Sequence, residues 1–269
     1  MESLGVIGNI SRDLAIYPGG VRIQMIGGAA LHIALAAAHA GLPAAPISVI
    51  GTDLGWMTSD PDLSGVAMRH VKIVSGDSCS FRLTYDAVGL LLSTHASFGV
   101  AAGLTGHALS TLGSCSACHV CCRRPLDVTS VLGRMVAMGM PFTVDFHLAS
   151  ADVIMPAAAA ALPHARTVFV NAAEFAILAQ VTDPGTLNTV VISDGPRTAT
   201  VLRRGQQVAS AVPPATDATE VTGAGDTLTG TYLAASAQGL SCDAALRKAV
   251  DAASAMVSTR GPTSPAQGE

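Results

Sequence analysis

From Asp127 onward the chain alternates between two apolar rhythms, and this alternation constrains its fold more than any other feature. Asp127 to Gly139 places Val131, Leu132, Met135 and Val136 on one side of a helix. Phe142 to Phe146 reads as a short strand, Ala151 to Leu162 as a second helix, and Thr167 to Val170 as another strand. Strands alternating with helices of about ten residues specify a parallel sheet covered on both faces. The first half fits the same plan. Leu4 to Gly8 and Pro46 to Ile50 are buried strands, and Ala29 to Ala40 is a small-residue helix. Two hairpins stand apart from the alternation. One turns at Pro18-Gly19-Gly20 between Ala15 and Met25, and the other joins Cys79–Tyr85 to Val88–Thr94 through Asp86-Ala87.

The stretch Thr219 to Ala234, TEVTGAGDTLTGTYLA, carries the chemistry. Gly223 and Gly225 permit backbone angles that let successive N–H groups point into one concavity. A helix starting near Gly225 adds its unsatisfied N–H groups and its dipole at the same point. The result is an anion site built from backbone. A carboxylate at Asp226 beside bound phosphate is unfavourable unless it has a task, and the task that fits is taking a proton from an attacking hydroxyl. Read alone, GAG is equally a turn before a helix with Asp226 near its N-cap.

Composition narrows the classes. Hydrophobic residues are 49% of the 269, charged ones 13%, and the net charge is −4. A large core is available, and a general nucleic-acid binder is disfavoured. The Ala-rich stretches at 29–40 and 157–162 are interrupted or flanked by His32, His39, Pro156 and Pro163, so neither reads as a membrane span. The start has no basic run of the kind that opens a signal peptide, so a cytoplasmic location is expected. Four of the six cysteines lie in Cys115-Ser-Ala-Cys118-His119-Val-Cys121-Cys122. CSACH matches the pattern of c-type haem attachment, and four close thiols suggest zinc. Haem attachment normally requires export, and zinc usually draws its second ligand pair from a distant segment. Ala117 to Cys122 reads better as a buried strand that uses Cys as a small apolar residue.

Taken together, EVTGAGDTLTGTYLAA, the Gly27-Gly28 pair that opens the helix at Ala29, and Asn171-Ala-Ala-Glu174 resemble the ribokinase (PfkB) carbohydrate kinase family. The resemblance covers nearly the whole chain. It implies a ribokinase-like three-layer α/β/α sandwich, in which residues 1–269 form a single kinase domain. The central sheet is mostly parallel, and lid segments at about 14–25 and 79–94 form a small β-sheet that closes over substrate. In this family the lid often pairs with a second subunit, which makes a homodimer through the lid one option.

The resemblance also implies an ATP- and Mg²⁺-dependent kinase acting on a hydroxyl of a sugar or sugar derivative. Asp226 is then the catalytic base, and Gly223, Ala224 and Gly225 complete the anion hole. Asp13, Gly27, Gly28 and His32 would contact substrate, with His32 standing where the family usually has Asn. Asn171, Glu174, Ser193, Gly195, Thr222 and Ala253 would contact nucleotide, and Glu174 would hold Mg²⁺ through water. Asp145-Phe-His147-Leu-Ala149 keeps only the aspartate of the family's D-x-N-x-R and lacks its arginine. Asp53, in Gly51-Thr-Asp53-Leu-Gly55, is expected to be structural, and Trp56 beside it to cap the core. The alternatives are a nucleoside kinase of the same family and a catalytically weak ligand-binding sensor on this fold.

Overall fold

All eight residues of Ala44–Gly51 are buried, as a strand covered by helices on both faces must be. The computed structural model describes residues 4–86, 91–215 and 223–258. Its strands are β1 (Leu4–Ile7), β2 (Ser11–Ile16), β3 (Arg22–Gly27), β4 (Ala44–Gly51), β5 (Val71–Val74), β6 (Ser80–Tyr85) and β7 (Leu91–Ser97). Then come β8 (Ala117–Cys122), β9 (Phe142–Phe146), β10 (Val168–Asn171), β11 (Thr189–Ser193), β12 (Ala199–Arg203) and β13 (Gln206–Ala211). The helices are α1 (Ala29–His39), α2 (Leu104–Thr111), α3 (Val128–Met138), α4 (Ala151–Ala158), α5 (Ala172–Val181), α6 (Ala224–Ala237) and α7 (Cys242–Val257).

Nine strands form the main sheet in the order β13-β12-β11-β10-β9-β8-β1-β4-β5. Pairings from β11 to β5 are parallel, and those of β12 with β11 and β13 are antiparallel. Side chains alternate between the faces. Ile7, Val120, Val144 and Val168 pack with residues of α2, α3, α4 and α5, whereas Val6, Cys121, Phe169 and Val191 pack with α1, α6 and α7. This is the expected three-layer sandwich. After β1 the chain pairs β4 on one side of it, and later returns with β8 on the other. The carboxyl ends of β1 and β8 therefore flank a switch point, where open α/β sheets bind ligands.

A second sheet, β3-β2-β6-β7, stands off the first. Its strands span 11–27 and 80–97, wider than the segments expected from sequence, and residues 87–90 lie outside the described residues. It joins the main body at Gly28, whose φ is +103° and where any Cβ would overlap the Asn9 carbonyl oxygen. Only glycine fits there. Helices α1 and α6 meet just as closely. A Cβ on Gly230 would overlap the Ile33 carbonyl oxygen and press on Ala36 Cβ at 2.7 Å.

Local chemistry explains most element ends. Asp127 caps α3 by accepting from Ser130 N–H at 3.0 Å, and Gly139 closes the helix at φ +63°. Helix α4 ends at Ala158, short of the expected Leu162. Pro156 removes one rung, and Pro163 starts a separate 3₁₀ turn at Leu162–His164. Trp56 does not cap the core and is 50% exposed. The 3₁₀ segment Thr52–Ser59 repeats every three residues, so it buries Leu54 and Met57 together and turns Trp56 outward. Asp53 is structural, as expected, since it accepts from Ser78 N–H at 2.9 Å and Ser78 Oγ–H at 2.6 Å. β8 is the buried strand read from sequence. Its thiols divide between the sheet faces, with Cys118 and Cys122 on one and Cys121 on the other. No described helix is long and apolar enough to cross a membrane.

Candidate active site

Helix α6 begins without a side-chain cap. Gly223 stands at its N-terminus in the left-handed region, φ +86°. Thr227 N–H is the first in this turn to reach a helical carbonyl, that of Gly223 at 2.8 Å. The N–H groups of Ala224, Gly225 and Asp226 precede it and have no carbonyl within the helix. Gly223, Gly225 and Asp226 line a cavity of about 730 Å³ that lies between the carboxyl ends of the parallel strands and the four-stranded sheet.

The sheet side of this cavity carries Asp13 on β2, 8% exposed. Its carboxylate accepts from Phe81 N–H at 3.3 Å, and burial pushes its pKa up to about 6 against the pull of Ser11 Oγ–H and Phe81 N–H. Gly27, Gly28 and His32 line the same side. Burial lowers the His32 pKa, and the charge of Asp226 opposes that shift. A neutral imidazole there can donate one hydrogen bond and accept another.

The strand-end side holds Asn171, Glu174 and Ser193. Asn171 and Glu174 satisfy each other. Asn171 Oδ1 accepts from Glu174 N–H at 2.9 Å, and Glu174 Oε2 accepts from Asn171 N–H at 2.8 Å. This capping box starts α5. Burial pushes the Glu174 carboxyl up to about 6. Beside it, Asp145 at the end of β9 pairs with Arg123, which follows β8. Burial works against ionisation of Asp145, but Arg123 and His119 more than offset it and hold the carboxyl below the usual range.

Residues 136–268 match the profile of the pfkB family carbohydrate kinases, and the structural neighbours include kinases of the same fold. The carboxyl-terminal part of the chain is thus similar to the pfkB carbohydrate kinases. A 94-residue stretch is 37% identical to the cytidine kinase of Thermococcus kodakarensis, and the match spans 33% of this chain and 32% of that protein, about a third of each. The nucleoside kinase of Burkholderia thailandensis, solved with inosine, has the same fold at a TM-score of 0.82 and 19% identity, covering 96% of this chain and 92% of that one. The ribokinase of Cryptococcus neoformans var. grubii, solved with ADP, superposes at 0.76 with 18% identity, covering 97% and 95%.

Within this fold the cavity gathers Asp13, Gly27, Gly28, His32, Asn171, Glu174, Ser193, Gly223, Gly225 and Asp226 from five separate segments. Two residues expected at the nucleotide do not line it. Gly195 occupies an exposed turn at φ +57°, beyond the end of β11, and Ala253 packs on the apolar cluster beneath α6. Thr222 lies outside the described residues. Sequence reading missed Arg123 and Asn9, both of which line the cavity. The available signal was position, since each follows a buried parallel strand at the edge where ligands bind. Among the described residues, His119, Cys121 and Asp145 lie within 4.8 Å of one another and form the one group with metal-ligand atoms. Asp145 is already paired with Arg123, and burial raises the Cys121 thiol well above its usual pKa, so this set suits a metal poorly.

Proposed function

We propose that the chain is an ATP- and Mg²⁺-dependent kinase that phosphorylates a hydroxyl of a small molecule held between the four-stranded sheet and α6. The observation that carries this reading is the convergence of the uncapped N-terminus of α6, with Asp226 in its first turn, and the buried Asp13 on one cavity. Asp13 accepts a hydrogen bond from the acceptor, and Gly27 and Gly28 let it lie against backbone. Asp226 takes the proton of the attacking hydroxyl as its oxygen bonds to the γ-phosphorus and the bond to ADP breaks. The N–H groups of Ala224, Gly225 and Asp226 stabilise the charge that develops on the phosphoryl oxygens. Glu174 offers hard oxygen donors that fit a hydrated Mg²⁺, which when bound with nucleotide would neutralise phosphate charge.

Within this class we favour a nucleoside acceptor over a bare sugar. The chain has one Trp, three Tyr and six Phe, and five of these ten, Phe81, Tyr85, Phe98, Phe146 and Phe169, line the cavity. Phe81 gives its N–H to Asp13 and lines the cavity with it. Tyr85 is braced by stacking on Tyr17, with ring centroids 5.0 Å apart. Flat apolar walls suit a planar base, and a sugar alone would leave them wet.

The test is ADP formation from MgATP with a panel of sugars, sugar phosphates and nucleosides, using Asp226→Asn as control. Turnover with nucleosides that is lost in the control is the expected result. Turnover with sugars alone removes the nucleoside preference. Absence of turnover across the panel, together with no binding of MgATP by calorimetry, removes the kinase reading.

A further inference from the structure

Arg123 is a half-buried cationic side chain on the wall of this cavity, and the mechanism above leaves it without a task. It stands at the carboxyl end of β8, and its side chain is 20% exposed. One arm, Nη2, pairs with Asp145 Oδ2. The other oxygen of Asp145 accepts from His119 Nε2 at 3.3 Å, and His119 Nδ1 meets Thr143 Oγ1 at 2.8 Å. His119 is fully buried and is packed edge-on against Phe169. The guanidinium is thus held by a relay of three side chains from two neighbouring strands.

The relay leaves Nε of Arg123 buried without a partner. The rest of the side chain still lines the cavity and keeps a fifth of its surface open there, so an anionic ligand can reach the guanidinium. Arg123 also feels the charges of Asp226 and Glu174. Those two carboxylates flank the region that a triphosphate must enter, and the added phosphate charge would meet strong repulsion there without a fixed cation. Arg124, the neighbouring cation, is exposed and does not supply a buried charge.

We propose that Arg123 is a catalytic residue whose guanidinium contacts the phosphoryl group in transit, and that Asp145, His119 and Thr143 are positioning residues that fix it. This rests on the kinase reading and adds to it a side-chain cation on the wall of the same cavity as the N-terminus of α6. Arg123 forms no covalent bond and moves no proton. The transfer remains one P–O bond formed to the acceptor and one broken to ADP, with the hydroxyl proton passing to Asp226.

Steady-state kinetics on the full chain test this. Arg123→Gln is expected to lower kcat by about 10²–10³-fold while acceptor KM and MgATP affinity stay within about threefold. Asp145→Asn is expected to lower kcat about tenfold. The double variant Arg123→Gln/Asp145→Asn, which removes both buried charges and so tolerates the loss of either, is expected to be no worse than Arg123→Gln. That non-additivity is the mark of one residue acting through the other. Arg123→Lys is expected to recover part of kcat. If unsubstituted protein turns over and the double variant keeps kcat within threefold, the Arg123 assignment falls and the kinase reading stands. A loss confined to acceptor KM makes Arg123 a binding residue for the acceptor and overturns the transfer role. No turnover by unsubstituted protein overturns the kinase reading, and this assignment with it.

Discussion

Two helices, α5 and α6, point their N-termini into the same cavity, and each carries an acid in its first turn. They are finished in opposite ways. At α5, Asn171 and Glu174 close the helix end by bonding to each other's N–H groups. At α6, a left-handed glycine takes the cap position and no side chain bonds to the first turn. A closed end spends its hydrogen bonds on the fold, and an open end keeps them for a ligand. Acid near a helix start is therefore an ambiguous signal, and the residue at the cap decides what the acid is for.

The sharpest way to break this contrast is at the acids. Asp226→Asn is expected to lower kcat by about 10²–10⁴-fold with MgATP affinity unchanged. Near-normal turnover would remove Asp226 as the base and leave α6 a plain anion site.

Glu174→Gln tests the other end through pH. The folded-state pKa of Glu174 is raised from 4.5 to about 6, so the folded protein holds this proton more tightly than the unfolded chain does. The associated stability is present below about 4.5 and is lost as pH rises through about 6. At pH 7 the buried charge costs about 2 kcal/mol, and the neutral glutamine is expected to restore up to that amount. At pH 4 the two proteins are expected to match in urea unfolding. A variant less stable than the parent at pH 7 would mean that the charged cap outweighs its burial.

Gly223→Ala forces a side chain into left-handed backbone with Met256 Cε 3.4 Å away. The expected cost is about 1–2 kcal/mol in unfolding free energy, with a fall in kcat as the N–H groups turn. A variant with unchanged kcat would show that these N–H groups are not aimed at the reacting phosphate. Asn171→Ala is expected to cost about 1 kcal/mol, typical of a lost cap, with MgATP affinity within about threefold. Unchanged stability together with weakened MgATP binding would make α5 a ligand site first and a capped helix second.

These two ends also mark what the sequence made legible. The left-handed cap of α6 and the capping box of α5 both follow from residues within four positions of one another, and local chemistry can be read along a chain. The alternation of strands and helices was legible for the same reason. Arg123 was not. Its partner Asp145 lies 22 residues away, and the two meet because β8 and β9 pair with Cys121 opposite Asp145. Strand register is a property of the assembled sheet. Trp56 misled in the opposite direction. Its size argued for burial, but the three-residue repeat of its 3₁₀ segment had already given the inner positions to Leu54 and Met57. Gly195 and Ala253 do not line the cavity, a distinction that needs coordinates.

The contact at Gly230 governs where new specificity can arise. Helix α1 carries His32 and α6 carries Asp226, and both line the cavity. Their backbones touch at Gly230 with no side chain between them to absorb a shift. His32 and Asp226 are thereby geared to each other, and under the proposed mechanism any tilt of α1 to admit a larger molecule would carry Asp226 off line. The four-stranded sheet has no such gear. Its strands Ser11–Ile16 and Ser80–Tyr85 can change their inward side chains one at a time while α6 keeps its place. For evolution or for an engineer, the route to a new acceptor runs through those strands.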